Sequence, residues 1–244
     1  MNSITVFRLV QALRGGTVFL GVVAVALLLL VVAVLSPGKS PSPIAELPWH
    51  IERGANGVRV FGLTLGHSTL AEAQNKFHEQ AAISLFISDT GEFAAEAYFD
   101  RTNLSGLSAK VVLSAALPQA ELQDMSARGL RISSLGSGRK VELHPDDKEK
   151  VLHAAIASLT YLPATTLDEA LIVQRFGAPA RRVREAKNDV LHLLYPQSGL
   201  DIALNGKNKA VLQYFPPQDF SALMAPLFAS SATAQFSTSQ TPGN

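Results

Sequence analysis

The side chains with the chemistry to act on a ligand in this 244-residue chain are six histidines, two pairs of adjacent carboxylates and one arginine-rich stretch. The histidines are His50, His67, His78, His144, His153 and His192. A helical zinc hydrolase site needs two histidines four positions apart with a glutamate between them, and no pair here has that spacing. His78 and Glu79 are neighbours, so on a helix they point to different faces. His144 and His153 straddle a predicted helix start. All six read as surface or hydrogen-bonded histidines, and no metal site is expected.

The carboxylates Asp146-Asp147 and Asp168-Glu169 stand at predicted helix starts, where capping and the helix dipole explain them more simply than acid–base work. No Gly-x-Ser-x-Gly elbow is present. The stretch Ser134-Leu135-Gly136-Ser137-Gly138-Arg139-Lys140 resembles a phosphate loop in composition. It lacks the glycine spacing and the closing Ser/Thr, and strand-like residues Lys140 to Leu143 follow it, so a hairpin or loop is predicted. The chain contains no cysteine, which excludes thiolate metal sites, thiol nucleophiles, disulfides and a lipidated N-terminal cysteine. No catalytic residue, metal or cofactor is expected.

Arg175, Arg181, Arg182, Arg184 and Lys187 form the one local charge cluster, with Glu185 as the only acid among them. Guanidinium groups bind phosphate and carboxylate in a bidentate fashion, so these five residues are the candidate contact for an anionic partner. The competing reading is a solvated loop and strand edge, where charge discourages pairing with other chains.

These residues must be held by something, and the distribution of apolar residues says where. Hydrophobic residues make up 47% of the chain and charged ones only 17%, below the roughly 25% of ordinary soluble domains. Residues 17–35, TVFLGVVAVALLLLVVAVL, carry no charge. A helix of that length spans roughly 28 Å, close to the hydrocarbon core of a bilayer. Arg8 and Arg14 precede it, which places residues 1–16 in the cytoplasm and the rest outside. The competing reading is a cleaved signal peptide, but the run is long for one, and Pro37 disfavours cleavage after Ser36. Residues 36–48, with four prolines, read as an extended spacer. Residues 229–244 are small and polar, a composition that predicts disorder. The balance of 21 Lys and Arg against 20 Asp and Glu argues against nucleic-acid binding.

The region between spacer and tail contains an apparent repeat. Ser68-Thr69-Leu70-Ala71-Glu72-Ala73 and Phe77 recur as Thr165-Thr166-Leu167-Asp168-Glu169-Ala170 and Phe176. Thr69 with Glu72, and Thr166 with Glu169, fit the capping box that starts a helix. Strands are predicted at 92–100, 107–117, 189–195, 200–204 and 209–215, the last three as an antiparallel meander. Two further helices are predicted at 118–128 and 145–159. The fold class is α+β: a transmembrane helix followed by two tandem modules of helix plus antiparallel sheet, at 49–135 and 136–228.

The first helix, opening at Leu65-Gly66-His67-Ser68, resembles the start of the small envelope module of BamE (SmpA/OmlA) lipoproteins. Arg175-Phe176-Gly177-Ala178-Pro179 is similar to the step that ends its helices. The hairpin carrying Leu193-Leu194-Tyr195 and Lys209 to Tyr214 is similar too, and the β-lactamase-inhibitor-protein fold is a related tandem arrangement. The first copy lacks the Gly-x-Pro step, and without a lipobox cysteine an outer-membrane lipid anchor is not supported.

That resemblance implies a periplasmic protein-binding or scaffold role, without catalysis. The expected function is a single-pass inner-membrane protein acting by protein–protein contact in bacterial envelope assembly or maintenance. The alternative is a periplasmic domain that binds or senses a lipid or small ligand in a cleft between the modules. The topology is tested by reporter fusions after residue 40 and at the C-terminus. Activity of a periplasm-specific reporter at both positions is expected; a C-terminus active only in the cytoplasm overturns the assignment.

Overall fold

The computed structural model describes residues 47–136, 138–185, 189–205 and 209–228. The expected cytoplasmic, membrane-spanning and tail segments (1–16, 17–35 and 229–244), all but the last two residues of the 36–48 spacer, and Lys187 lie outside the described residues. Among the described residues no helix is long and apolar enough to cross a membrane.

The chain opens with a small antiparallel sheet of β1 (Glu52–Gly54), β2 (Gly57–Val60) and β3 (Leu63–Thr64). The helix α1 (Leu70–Phe77) follows, and it starts where its capping box predicts. The Thr69 hydroxyl accepts the Glu72 N–H and the Glu72 carboxylate accepts the Thr69 N–H, both at 3.2 Å. Leu70, Ala73 and Phe77 fall on one face and are buried. The helix stops at His78, which takes the left-handed conformation (φ 53°) that a glycine would occupy more readily.

Three antiparallel strands come next: β4 (Ala82–Ile87), β5 (Phe93–Leu104) and β6 (Leu107–Ala115). A bulge interrupts β5 between Phe99 and Thr102. The Glu79 carboxylate serves it, accepting the N–H groups of Asp100 and Arg101 at 2.8 and 3.2 Å and the Thr102 hydroxyl at 3.2 Å. Then come α2 (Gln119–Ala127), the hairpin of β7 (Arg131–Leu135) and β8 (Gly138–Glu142), α3 (Pro145–His153) and β9 (Ile156–Pro163). The last section holds α4 (Glu169–Phe176), β10 (Arg181–Glu185), β11 (Val190–Tyr195), β12 (Leu200–Leu204), β13 (Ala210–Tyr214) and a helical segment α5 at 220–228.

Ten strands form one antiparallel sheet in the order β10-β11-β12-β13-β9-β6-β5-β4-β8-β7. Its centre is a seam where β9 pairs with β6 on one side and β13 on the other. The meander β4-β5-β6-β9 thus meets the meander β10-β11-β12-β13 through their last strands, and a helix, α1 or α4, precedes each meander. The position 135/136 expected to separate two modules falls at the tip of the β7–β8 hairpin. Helices α1 to α4 pack on one face against a continuous core that includes Leu85, Phe99, Val111, Leu159, Leu193 and Ile202. On the other face α5 covers a smaller cluster of Val183, Leu194 and Phe215 through Phe220 and Met224.

Two sequence expectations are corrected. The helix predicted over 145–159 ends at His153, and residues 156–163 are the central strand β9. Val151, Leu152, Ala155, Ile156 and Leu159 have helical spacing, which hid the change of period. What decides is pairing: the Ile156 N–H donates to the Ser68 carbonyl (2.9 Å) and the Gly66 N–H donates to the Ile156 carbonyl (2.8 Å). The start of α1 therefore peels the chain out of helix before β9. The second capping box is also absent. Asp168, not Thr166, caps α4 by accepting the Leu171 N–H at 2.7 Å, and Glu169 is committed to Arg182.

Gly138 fixes the hairpin against β4. It has φ +126°, and a Cβ there would strike the Ile87 carbonyl oxygen. Left-handed strain and overpacking together predict that Gly138→Ala lowers stability by about 2 kcal/mol or more. Gly136, which has open space around its Cα, serves as the control, and Gly136→Ala should stay within about 0.5 kcal/mol of wild type. Urea unfolding midpoints compare the two, and equal shifts contradict the assignment.

Candidate functional site

The arginine stretch does not form one site. Arg175 ends α4 and its guanidinium stacks over the Trp49 ring at 4.9 Å. Arg182 donates to Glu169 at 2.7 Å and Arg184 to Asp189 at 2.8 Å. Arg181, alternating with Arg182 along β10, lies over the Phe228 ring at 4.5 Å. Lys187 lies outside the described residues. The four described arginines thus spread over the two faces of an edge strand and the end of a helix, each engaged by a different neighbour.

What the structure does bring together is an apolar socket beside the sheet centre. Trp49, Leu107, Tyr161, Leu171, Ile172 and Phe176 line it, with Arg175 at its rim. The lining residues are drawn from α4, β6, β9 and the segment before β1. That segment is fixed by a long-range bond: the buried Tyr214 hydroxyl donates to the Pro48 carbonyl at 2.8 Å. Tyr214 and Tyr161 flank Phe61, which stacks on Tyr161 at 5.1 Å and meets Tyr214 edge-on at 6.0 Å. Burial pushes the Tyr161 phenol up to about 12 and Tyr214 well above the usual range. Trp49 then meets Phe176 edge-on at 6.4 Å. The socket measures about 170 Å³. Drug-sized ligand sites run about 300–1,000 Å³, whereas a cavity of about 150 Å³ accepts one benzene ring. The socket is the size of one large apolar side chain or the tip of an acyl chain.

The carboxylates and histidines are spread through the fold. Asp147 is buried and takes a bidentate pair from Arg128, at 2.8 and 2.7 Å, which ties the start of α3 to the end of α2. His144 caps α3, accepting the Asp146 N–H at 3.4 Å. His153 contacts Glu149 at 2.9 Å, and His50 lies 3.4 Å from Glu52. No group of three His, Asp or Glu side chains that could hold a metal ion occurs among the described residues.

One polar pair stands out on the sheet face opposite α1 to α4. His192 Nδ1 lies 2.9 Å from Asp201 Oδ2, with 14% and 1% of these side chains exposed, and Asp201 Oδ1 has no hydrogen-bond partner. Burial pulls the imidazole pKa down, but the hydrogen bond and charge of Asp201, helped by Glu185, outweigh it and raise the net value. The sequence signal was a lone carboxylate inside the apolar strand Leu200-Asp201-Ile202-Ala203-Leu204. The socket had no such signal, because its residues lie far apart in the chain.

Comparison with known proteins adds no relative: no family model, curated protein or solved structure matches this chain.

A raised histidine pKa stabilises the fold below its unfolded value, 6.5, and that contribution fades as pH rises through the folded value. Stability is therefore expected to fall with rising pH from about 6.5 upward. His192→Ala should cost about 3 kcal/mol at low pH, because Asp201 is left buried and uncompensated. The double variant His192→Phe/Asp201→Val should lose this pH dependence. Denaturant midpoints across pH 5–9 measure it (about two units either side of neutral), and an unchanged slope in the double variant rules the pair out as its source.

Proposed function

We propose that this chain is a single-pass inner-membrane protein whose exported α+β domain works by protein–protein contact in bacterial envelope assembly or maintenance. The observation that carries the reading is the socket under Trp49. It is apolar, about 170 Å³, and the Tyr214–Pro48 bond holds the wall that Pro48 and Trp49 supply. A socket of that size suits one apolar side chain from a partner better than a whole ligand.

The tandem-module reading belongs to this proposal. Its support is topological: two helix-led antiparallel meanders meet at β9 and β13, in keeping with the resemblance to BamE-like and β-lactamase-inhibitor-protein-like modules. Residues 17–35 supply the membrane anchor in this reading, and no enzymatic activity or cofactor is assigned. Of the arginines, Arg175 takes part as the polar rim of the socket.

A second reading, lipid or small-ligand sensing, is favoured by the same apolar lining and cationic rim, which suit the end of an acyl chain beside an anionic group. Photo-crosslinking separates the two. With a photoactivatable residue at Leu171 in the full chain in bacterial cells, discrete protein adducts are expected. The same residue at the loop position Asp89 should give none. Solvent extraction of the purified chain should release no stoichiometric lipid. One lipid per chain with no protein adduct at Leu171 overturns the proposal in favour of the second reading.

A further inference from the structure

The sheet has two end strands, and they are built differently. At one end, β10 carries Arg181, Arg182 and Arg184, and α5 covers its Val183. Charge and a covering helix are both devices that keep an edge strand from recruiting another chain. At the other end, β7 carries a single charge, Arg131, and no described helix covers it. All five of its residues are exposed. Ile132 and Leu135 are 55% and 48% exposed and Leu130, just before the strand, is 57% exposed. These are three of the four exposed large apolar residues among the described residues. β7 pairs with β8 on one side alone. Antiparallel alternation therefore leaves every second residue's N–H and C=O facing the open side.

The two faces of this edge differ. Ile132 lies opposite the buried Val141, so it continues the core face outward past the last covered strand. Arg131 and Ser133 lie on the other face with Glu142 and Lys140 as their cross-strand neighbours. The hairpin from 130 to 142 holds Arg131, Arg139 and Lys140 against Glu142 alone. Among the described residues no carboxylate pairs with Arg131 or Arg139, and Lys140 lies over the Phe86 ring at 5.9 Å. A groove of about 600 Å³ beside the start of β7 is lined by Arg131, Ser133, Lys140, Glu142, Lys148 and Leu152, among others.

We infer that β7 is a docking edge that takes an extended strand of a partner protein, with apolar and acidic residues alternating along it. Its apolar residues cover Ile132 and its carboxylates meet Arg131, the charged residue on the edge strand itself. Charge decides the occupant. Two copies paired β7 to β7 bring two net-positive hairpins within one strand spacing, about 4.8 Å, well inside a screening length of about 8 Å. Pairing β7 with β10 of another copy sets Arg131 against a strand that carries three arginines and one glutamate. A partner strand bearing acids removes that repulsion and satisfies the open backbone groups at once.

This inference rests on the protein-contact reading, and the test separates the two. The probes are fluorescent capped heptapeptides, one alternating valine with glutamate and one alternating valine with lysine. They are titrated by polarisation against the full detergent-solubilised chain at low ionic strength. The glutamate peptide is expected to bind about threefold more tightly, since reversing one cross-strand charge contact is worth about that factor. It should protect from hydrogen exchange the amides of 131–135 that face the open side. Ile132→Ser should weaken binding several-fold without moving the melting temperature, and Arg131→Glu should invert the preference between peptides. Equal affinity for both peptides, or indifference to all these substitutions, overturns the inference. So does protection of the open-side amides of 131–135 in the free chain, or a dimer that Ile132→Ser dissociates. In each case adducts at Leu171 would leave the socket reading standing. Loss of those adducts with intact peptide binding would remove the socket reading alone.

Discussion

The structure turns on β9. It is the last strand of one meander and pairs with the last strand of the other. Over Leu159–Tyr161 it is bonded on both sides, which leaves no backbone group there for solvent, so it can lie in the sheet centre where an edge strand cannot. Its inward residues Ile156, Leu159 and Tyr161 are all buried and supply the floor on which both halves of the helical layer rest. Tyr161 also carries Phe61, and Phe61 meets Tyr214 on the neighbouring strand. The hydroxyl of that tyrosine then holds Pro48, and so places Trp49 over α4. The socket is thus a consequence of the seam.

Local rules were legible in the sequence and long-range pairing was not. The Thr69–Glu72 box, the meander of β11 to β13, and a hairpin in place of a phosphate loop at 134–140 were all readable, because each is encoded within a few residues. β9 was misread because its apolar residues continue the spacing of α3. Nothing local marks the point where Ser68 and Gly66, nearly ninety positions upstream, take over its hydrogen bonds. The Thr166 cap failed for a subtler reason. Thr-Thr-Leu-Asp-Glu offers two capping residues, and Asp168 is the one that leaves Glu169 free to reach Arg182 on β10.

The same distinction explains the arginines. Clustered in sequence, they alternate in direction on a strand, so adjacent guanidiniums part to opposite faces. There they meet different neighbours: Glu169 and Asp189 for Arg182 and Arg184, and the Phe228 ring for Arg181. A run of like charge on a helix face or a loop converges on one ligand; on a strand it divides. Its effect is to make the β10 edge polar, which is what an uncapped end of a sheet requires.

The two ends of the sheet then differ because of an insertion. In the meander β10 to β13 the first strand is the edge itself. In the meander β4 to β9 the segment from α2 to α3 lies between β6 and β9 in the chain, and its β8 pairs onto β4. That addition moves the edge outward by two strands and replaces the composition of β4 with that of β7. β4 places Leu85 and Ile87 in the core and would be a sticky edge if open. β7 instead exposes only Ile132 and Leu135 among polar residues. An inserted hairpin carries few core residues of its own, chiefly Val141, so its surface can change without repacking the sheet. Gly138 is the exception, since the hairpin reaches β4 only by letting the backbone pass against Ile87. The open edge β7 therefore lies in the part of the fold least constrained by the seam.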